Sequence, residues 1–178
     1  MKLITLILIF TFSVFNSCDS FAGESQLEKY VAHFHQNVSQ SRLNRALKYI
    51  PMVETESTAA GFDPVLIGVL ISLESSWLPD SLGKIGEKGF LQVVPDSVCS
   101  KGFDLDDTTQ SLRAGLNCLK MHQVHCDGTL EQTLTSYASG RCRSKSERTK
   151  RMIKRRIRIV SFIFFVSFLA QQFPLLKL

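Results

Sequence analysis

Gly61-Phe62-Asp63-Pro64-Val65-Leu66-Ile67-Gly68-Val69-Leu70-Ile71-Ser72-Leu73-Glu74 is the most informative stretch of this chain. Asp63 is a favourable N-cap and Pro64 suits the first helical position, so we predict a helix that begins at residue 64. The run that follows is apolar nearly all round, which indicates a helix buried at the centre of a domain. The helix ends at Glu74, just before Ser75-Ser76-Trp77, and so carries a carboxyl group out of an apolar interior.

Further helices are predicted on both sides of this central helix. Residues 27–40 predict a polar amphipathic helix at the periphery of the domain. Thr108 or Thr109 is expected to cap a helix through His125, and Thr129 to cap another that Gly140 stops.

The segments between these helices are less regular. Residues 80–89 are rich in Gly, Ser and Lys, which is typical of an irregular loop. Residues 89–95 fit either one short strand or apolar packing, and residues 95–100 suit a short helix. The fold class predicted is therefore mostly α, with few strand signals.

The length of the chain fits one globular domain, and its charge is unevenly distributed. A chain of 178 residues with 44% hydrophobic and 21% charged residues can form one domain with a real core. Residues 23–140 contain 9 Lys and Arg against 14 Asp and Glu, a net charge of −5, whereas residues 141–158 contain 10 basic residues and the acid Glu147. Such a basic cluster can bind nucleic acid or an anionic surface. The body offers no nucleic-acid motif, so we expect no nucleic-acid partner and favour a solvated helix face.

The N-terminus has the pattern of an export signal. Lys2 is followed by the apolar residues 3–15, and Ser20-Phe21-Ala22 places small residues where a signal peptidase cleaves. We expect removal after Ala22 and an exported protein, periplasmic or secreted. Retention as an anchor and lipid attachment at Cys18 are the less favoured alternatives.

Export would expose the cysteines that follow the signal to an oxidising compartment. An even number remains in an oxidising compartment, so two disulfides are expected. Cys118 and Cys126 lie eight residues apart along one predicted helix, which separates them by about 12 Å. This distance is too long for a disulfide unless the helix stops early. We therefore favour the pairs Cys99–Cys118 and Cys126–Cys142. A metal site, with His122 and His125 nearby, is disfavoured because CxxC spacing is missing, and both histidines are expected to be exposed.

The C-terminal segment is amphipathic and then apolar. Ile153 and Ile157 recur at helical spacing among many basic residues, which predicts a helix from about residue 147. Residues 160–170 are almost wholly apolar, but a membrane span needs about 20 such residues. A docked or membrane-surface helix is favoured over a spanning one.

Four short motifs suggest the chemistry. A carboxyl group that emerges from an apolar surface loses hydration and can hold a proton near neutral pH, as an acid that protonates a glycosidic oxygen must. Leu73-Glu74-Ser75-Ser76 is followed in order by Gly89-Phe90-Leu91-Gln92, Leu112-Arg113-Ala114-Gly115 and Ser136-Tyr137-Ala138-Ser139-Gly140. Together these motifs resemble the soluble lytic transglycosylase domain, which has a lysozyme-like fold. The resemblance covers residues 62–140.

The resemblance implies a function and a set of site residues. It implies cleavage of peptidoglycan glycan strands between N-acetylmuramic acid and N-acetylglucosamine, with Glu74 as the catalytic acid and base and with no metal or cofactor. Ser75 becomes its polar neighbour, Gln92 lines the cleft and contacts sugar, and Gly89 lets backbone and glycan approach closely. Tyr137 is expected to place its hydroxyl near the Glu74 carboxyl.

The domain boundaries expected are a signal peptide at 1–22, a helical segment at 23–60, a catalytic domain at 61–146 and a C-terminal helix at 147–178. The protein is expected to act as a monomer, and its last helix to contact a membrane surface.

The chain also departs from the family pattern. Ser111 stands where the later helix of the family usually begins with Asn, and Ala138 also replaces a usual Asn. The change at residue 138 removes a polar group from the expected cleft. Three alternatives therefore stay open: a hydrolytic muramidase of the same fold, a catalytically impaired glycan-binding component of a secretion or phage apparatus, and a membrane-active basic protein. The carboxylates Glu54, Glu56 and Glu87 also remain candidates for cleft residues.

Overall fold

The structure is a computed structural model, and it describes residues 25–35, 39–126, 129–143, 146–155 and 157–159. Residues 147–155 and 157–159 are helical and form the C-terminal helical segment. Over the described ranges the chain forms no strand and only isolated β-bridges, so the mostly α fold is confirmed. The expected signal peptide and the apolar residues 160–170 lie outside the described residues. The other helices are α1 (Gln26–His35), α2 (Gln40–Ala59), α3 (Pro64–Glu74), α4 (Thr108–His125) and α5 (Leu130–Ser139).

The central helix α3 begins and is buried as the sequence predicts. The Asp63 carboxylate accepts hydrogen bonds from the backbone N–H groups of Val65 and Leu66, at 2.8 and 3.1 Å, and Pro64 occupies the first turn. These bonds satisfy N–H groups that have no partner within the helix. Residues 67–72 are all buried, so α3 forms the centre of the core.

Helix α1 is part of the core, and its predicted peripheral position is wrong. Leu27 and Val31 are almost fully buried and belong to the same apolar cluster as α3. Gly68 makes this contact close, because a Cβ at residue 68 would lie 2.3 Å from Leu27 Cδ1. A helix that is apolar all round needs cover on every side, and α1 supplies one of those sides.

A buried polar group joins α1 to the end of α3. The Ser72 hydroxyl donates to the Gly68 carbonyl at 2.8 Å and accepts from Trp77 Nε1 at 2.8 Å. His35 Nε2 lies 3.1 Å from the same oxygen and must donate, since the Ser72 proton is already used. Burial, together with Arg42 and Arg45, lowers the pKa of His35. His35 is therefore neutral at pH 7.

This arrangement makes stability depend on pH below about 6.5. Since the pKa of His35 is lower in the folded chain than in the unfolded chain, the unfolded chain binds more protons in that interval, and stability falls as pH falls. We expect His35→Gln to flatten this loss, which is at most about 1.4 kcal/mol per pH unit. Denaturant unfolding at a series of pH values checks it. His33→Gln, at an exposed position of the same helix, should leave the pH dependence unchanged.

Helices α4 and α5 are held by caps and disulfides. Asp107 caps α4 by accepting from Gln110 N at 2.7 Å, so the predicted Thr108 or Thr109 cap is wrong by one or two residues. Thr129 and Gly140 bound α5 as predicted.

The disulfides are Cys99–Cys118 and Cys126–Cys142, with Cα–Cα distances of 4.9 and 5.4 Å. These are the pairs that the sequence favoured. Residues 95–100 form turns and not the predicted short helix, because Asp96 has a left-handed φ of 57° that interrupts helical geometry.

The C-terminal helical segment is docked on the domain. Ile153 is 1% exposed and belongs to the main core cluster, and Met152, Ile157 and Ile159 pack against that cluster. Among the described helices, none has the length and apolar character needed to cross a membrane.

Candidate active site

Glu74 is the last residue of α3 and is half-buried. The residue after it fixes the helix end: Ser75 is 4% exposed, and both its N–H and its hydroxyl donate to the Ile71 carbonyl, at 3.0 and 3.1 Å. Ser75 therefore directs its hydroxyl into the helix, immediately after Glu74. The site carboxyl thus stands at the end of a rigid, buried helix.

A sharp turn after Glu74 reverses the chain. Ser76 and Trp77 both have left-handed backbone angles, with φ of 53° and 64°. Such angles are costly for residues with a Cβ, so the surrounding packing must maintain them. The Trp77 ring is fully buried, and an Arg45 Nη2 group donates to the Ser76 carbonyl at 3.4 Å. The backbone around the Glu74 carboxyl is held on both sides.

The second motif, residues 89–92, packs directly on α4. Gly89 has a φ of +77°, and a Cβ there would lie 2.0 Å from Ser111 Oγ. Leu91 is fully buried, and a Cβ at Gly115 would lie 2.5 Å from the Leu91 Cβ. Both glycines are required by close approach, so the second and third motifs fit together only with these residues.

The same turn contacts Trp77, directly after the first motif, and it also contacts the fourth motif. The Phe90 ring is fully buried and lies edge-on to Trp77, with ring centroids 6.2 Å apart. The Tyr137 hydroxyl donates a short hydrogen bond to the Leu91 carbonyl. Residues 89–92 are therefore in direct contact with the third and fourth motifs and with Trp77, which follows the first motif.

Gln92 holds the loop that precedes it. Its side-chain amide donates to the carbonyls of Ser81 and Gly89, at 3.1 and 2.9 Å, and its own φ of 52° is left-handed. The side chain is half-buried. Gln92 therefore orders residues 81–89, which surround the turn, and its amide nitrogen already has partners within the chain.

His122 contacts Ser136 and Tyr137 of the fourth motif, which the sequence reasoning missed. It was expected to be exposed, but it is half-buried, with Nδ1 2.8 Å from the Ser136 hydroxyl. Its ring lies edge-on to Tyr137, with centroids 5.8 Å apart. Burial, with a contribution from His125, lowers the pKa of His122. His125 is exposed, as expected. The partners of His122 lie on the next helix, so its helical periodicity gave no signal of this contact.

Glu56 and Glu87, two of the carboxylates that remained candidates for cleft residues, form hydrogen bonds within the chain. Arg113 Nε and Nη2 each donate to a Glu56 oxygen at 2.7 Å, which ties α2 to α4. This hydrogen bonding lowers the pKa of Glu56, so the group stays ionised and is unsuited to act as an acid. Glu87 accepts from the Ile85 N–H at 2.9 Å inside its own loop.

A cavity of about 220 Å³ opens beside the second motif. It borders Gly89, and Lys88 forms an ion pair across its wall with Asp106. In the ranges that the structure describes, no three His, Cys, Asp or Glu side chains converge as metal ligands. The residues that line the cavity are Pro79, Asp80, Ser81, Leu82, Lys88, Gly89, Leu105, Asp106 and Thr108.

Comparison with protein families gives one finding about this region. Residues 51–159 match the family described as the transglycosylase SLT domain. The matched range contains all four motifs and the whole of the C-terminal helical segment. Comparison with curated proteins gives no match.

Proposed function

Because the chain belongs to the transglycosylase SLT domain family, we propose that it is a peptidoglycan lytic transglycosylase. It cleaves the β-1,4 bond between N-acetylmuramic acid and N-acetylglucosamine and leaves a 1,6-anhydro product. Glu74 is its single acid and base. Membership of the family supports a peptidoglycan-related activity, and the residue roles are inferred from this chain.

The observation that carries the proposal is the contact cluster around residues 89–92. Phe90 packs on Trp77, which directly follows the first motif. Gly89 and Leu91 pack on α4, and Leu91 accepts from Tyr137. Glu74 lies three residues before Trp77, at the end of a buried helix whose end is fixed by Ser75. A half-buried carboxyl on a rigid support suits an acid that must meet one substrate oxygen.

The proposed reaction needs only one carboxyl group. Glu74 donates its proton to the leaving O4 of N-acetylglucosamine as the C1–O4 bond breaks. The acetamido group of the muramic acid assists at C1 in place of a second enzyme carboxylate. The ionised Glu74 then takes the proton of the muramic O6 while O6 forms a bond to C1. No water is consumed, and Glu74 ends protonated for the next cycle.

The other site residues act around this carboxyl. Ser75 holds the helix end, and Gly89 allows the turn to sit against α4 with room for the glycan. Gln92 orders residues 81–89 and presents its amide oxygen to the sugar. The Tyr137 hydroxyl donates to the Leu91 carbonyl, and we propose that its oxygen also contacts the Glu74 carboxyl group.

Tyr137→Phe is expected to lower the rate of peptidoglycan cleavage by about 10- to 100-fold. The variant keeps the ring contact with His122 but loses the bond to the Leu91 carbonyl, which orders the turn. Release of soluble muropeptides from purified peptidoglycan measures the effect. Tyr49→Phe is the matched control, because Tyr49 packs edge-on to Phe90 from α2. An equal loss in both variants would show that general packing explains the effect.

The two disulfides indicate an exported protein, since such bonds persist in oxidising compartments. We propose that the enzyme works in the periplasm or outside the cell, on peptidoglycan strands and as a monomer.

Digestion of purified peptidoglycan in H₂¹⁸O tests the proposal. A transglycosylase releases anhydro-muropeptides without ¹⁸O, because O6 and not water attacks C1. Hydrated products that carry ¹⁸O would contradict the proposal and identify a muramidase. A folded, disulfide-bonded protein that releases no product would favour a glycan-binding component, a candidate supported by the exposed Ala138 where the family usually has Asn.

A further inference from the structure

The C-terminal helical segment presents a row of arginines to solvent. Arg148, Arg151, Arg155 and Arg158 are all exposed and follow one another at i, i+3, i+7 and i+10, which places them on one helix face. We call these four residues the arginine stripe. The segment's one acid, Glu147, is paired with Lys150 at 2.8 Å. Within the described ranges no carboxylate forms an ion pair with the stripe.

The opposite face of the segment is already used. Ile153 lies about 180° around the helix from the centre of the stripe, and it is 1% exposed in the main core. Cys142, five residues before the helical part, is bonded to Cys126 at the end of α4. The segment is thus fixed to the domain at both points. The apolar face of the segment is therefore packed on the core, and only the charged face is available to bind a partner.

We propose that the arginine stripe binds the phosphate headgroups of an anionic membrane surface. Guanidinium groups bind phosphate with two parallel hydrogen bonds, and each cation near an anionic bilayer adds attraction. The sequence that follows supports this partner. Residues 160–170 begin directly after the described helical part and are apolar except for Ser161 and Ser167. Cations next to such a run are typical of segments that lie on membranes.

Charge distribution orients the domain on that surface. Residues 23–140 carry a net charge of −5, so an anionic bilayer repels the body while it attracts the stripe. None of the four stripe residues is among the residues of the candidate active site. A membrane-bound enzyme would in this way keep its site open to the wall.

Co-sedimentation of the exported, disulfide-bonded protein with lipid vesicles tests the proposal. We expect binding to vesicles of phosphatidylglycerol and phosphatidylcholine mixed, weak binding to phosphatidylcholine alone, and release as salt is raised. Replacing all four stripe residues, as R148Q/R151Q/R155Q/R158Q, should weaken binding on the order of 100-fold. The variant should unfold at the same temperature and cleave peptidoglycan at the same rate as the wild type.

The matched control removes four exposed cations of the body, as K29Q/K48Q/K84Q/K101Q, with the same change in net charge. Its vesicle binding should stay within about threefold of wild type. Equal weakening in both variants would overturn the stripe as the binding surface. The proposal would also be overturned if the stripe variant bound vesicles as well as the wild type does. The same holds if the variant lost binding to purified peptidoglycan but not to vesicles. Vesicle binding does not require cleavage, so the two proposals can fail separately.

Discussion

Replacing Glu74 with Gln is expected to lower the release of soluble muropeptides by about 1,000-fold or more. Gln has the size of Glu but has no proton of suitable acidity to give to the leaving oxygen and cannot take one from O6. Because Glu74 lies at the half-buried end of α3, the substitution leaves the core contacts of that helix unchanged. The rate is measured on purified peptidoglycan at equal concentrations of folded protein.

Glu54→Gln is the control for this variant. Glu54 is also a half-buried carboxyl group, on α2, and it was one of the alternative cleft residues. We expect its activity within about twofold of wild type. If Glu54→Gln lost activity and Glu74→Gln kept it, the assignment of the acid would be wrong.

Gly89→Ala should give the largest loss of stability, about 3 kcal/mol. A Cβ at residue 89 would lie 2.0 Å from Ser111 Oγ, and the φ of +77° is unfavourable for Ala. The clash pushes the second motif away from α4. Denaturant unfolding with the disulfides intact measures the change in the free energy of unfolding.

Gly86→Ala separates the two causes of that loss. Gly86 has a φ of +90°, but a Cβ there would meet nothing within 4 Å, so only the backbone cost of about 1 kcal/mol is expected. Adding Ser111→Ala to Gly89→Ala should recover the remainder, since the clashing hydroxyl is removed. No recovery in the double variant would mean that the turn and α4 are not packed as described.

The features predicted correctly are those that short segments determine by themselves. Asp63 and Thr129 bond to N–H groups two or three residues further on, so their caps can be recognised locally. The burial of α3 follows from its composition, because an apolar surface on every side must be covered.

Two of the features predicted wrongly depend on partners that are distant in the sequence. Residues 26–35 are polar enough for a surface helix, and only Gly68, far along the chain, lets Leu27 approach the centre. His122 was interpreted as exposed because Ser136, its partner, belongs to another helix.

The site follows the same division. The position of Glu74 at the end of a buried helix was predictable, because composition and motif agree on it. The direction of the Gln92 amide was not predictable, because it depends on how residues 81–89 fold back on the turn.

The structure of the Glu74→Gln variant with a bound peptidoglycan tetrasaccharide tests the central claim most directly. We predict that the amide of residue 74 lies about 3 Å from the scissile glycosidic oxygen, with Gln92 and Tyr137 in contact with the flanking sugars. A glycan bound only in the cavity beside Lys88, with its glycosidic oxygens remote from residue 74, would contradict a catalytic centre at Glu74.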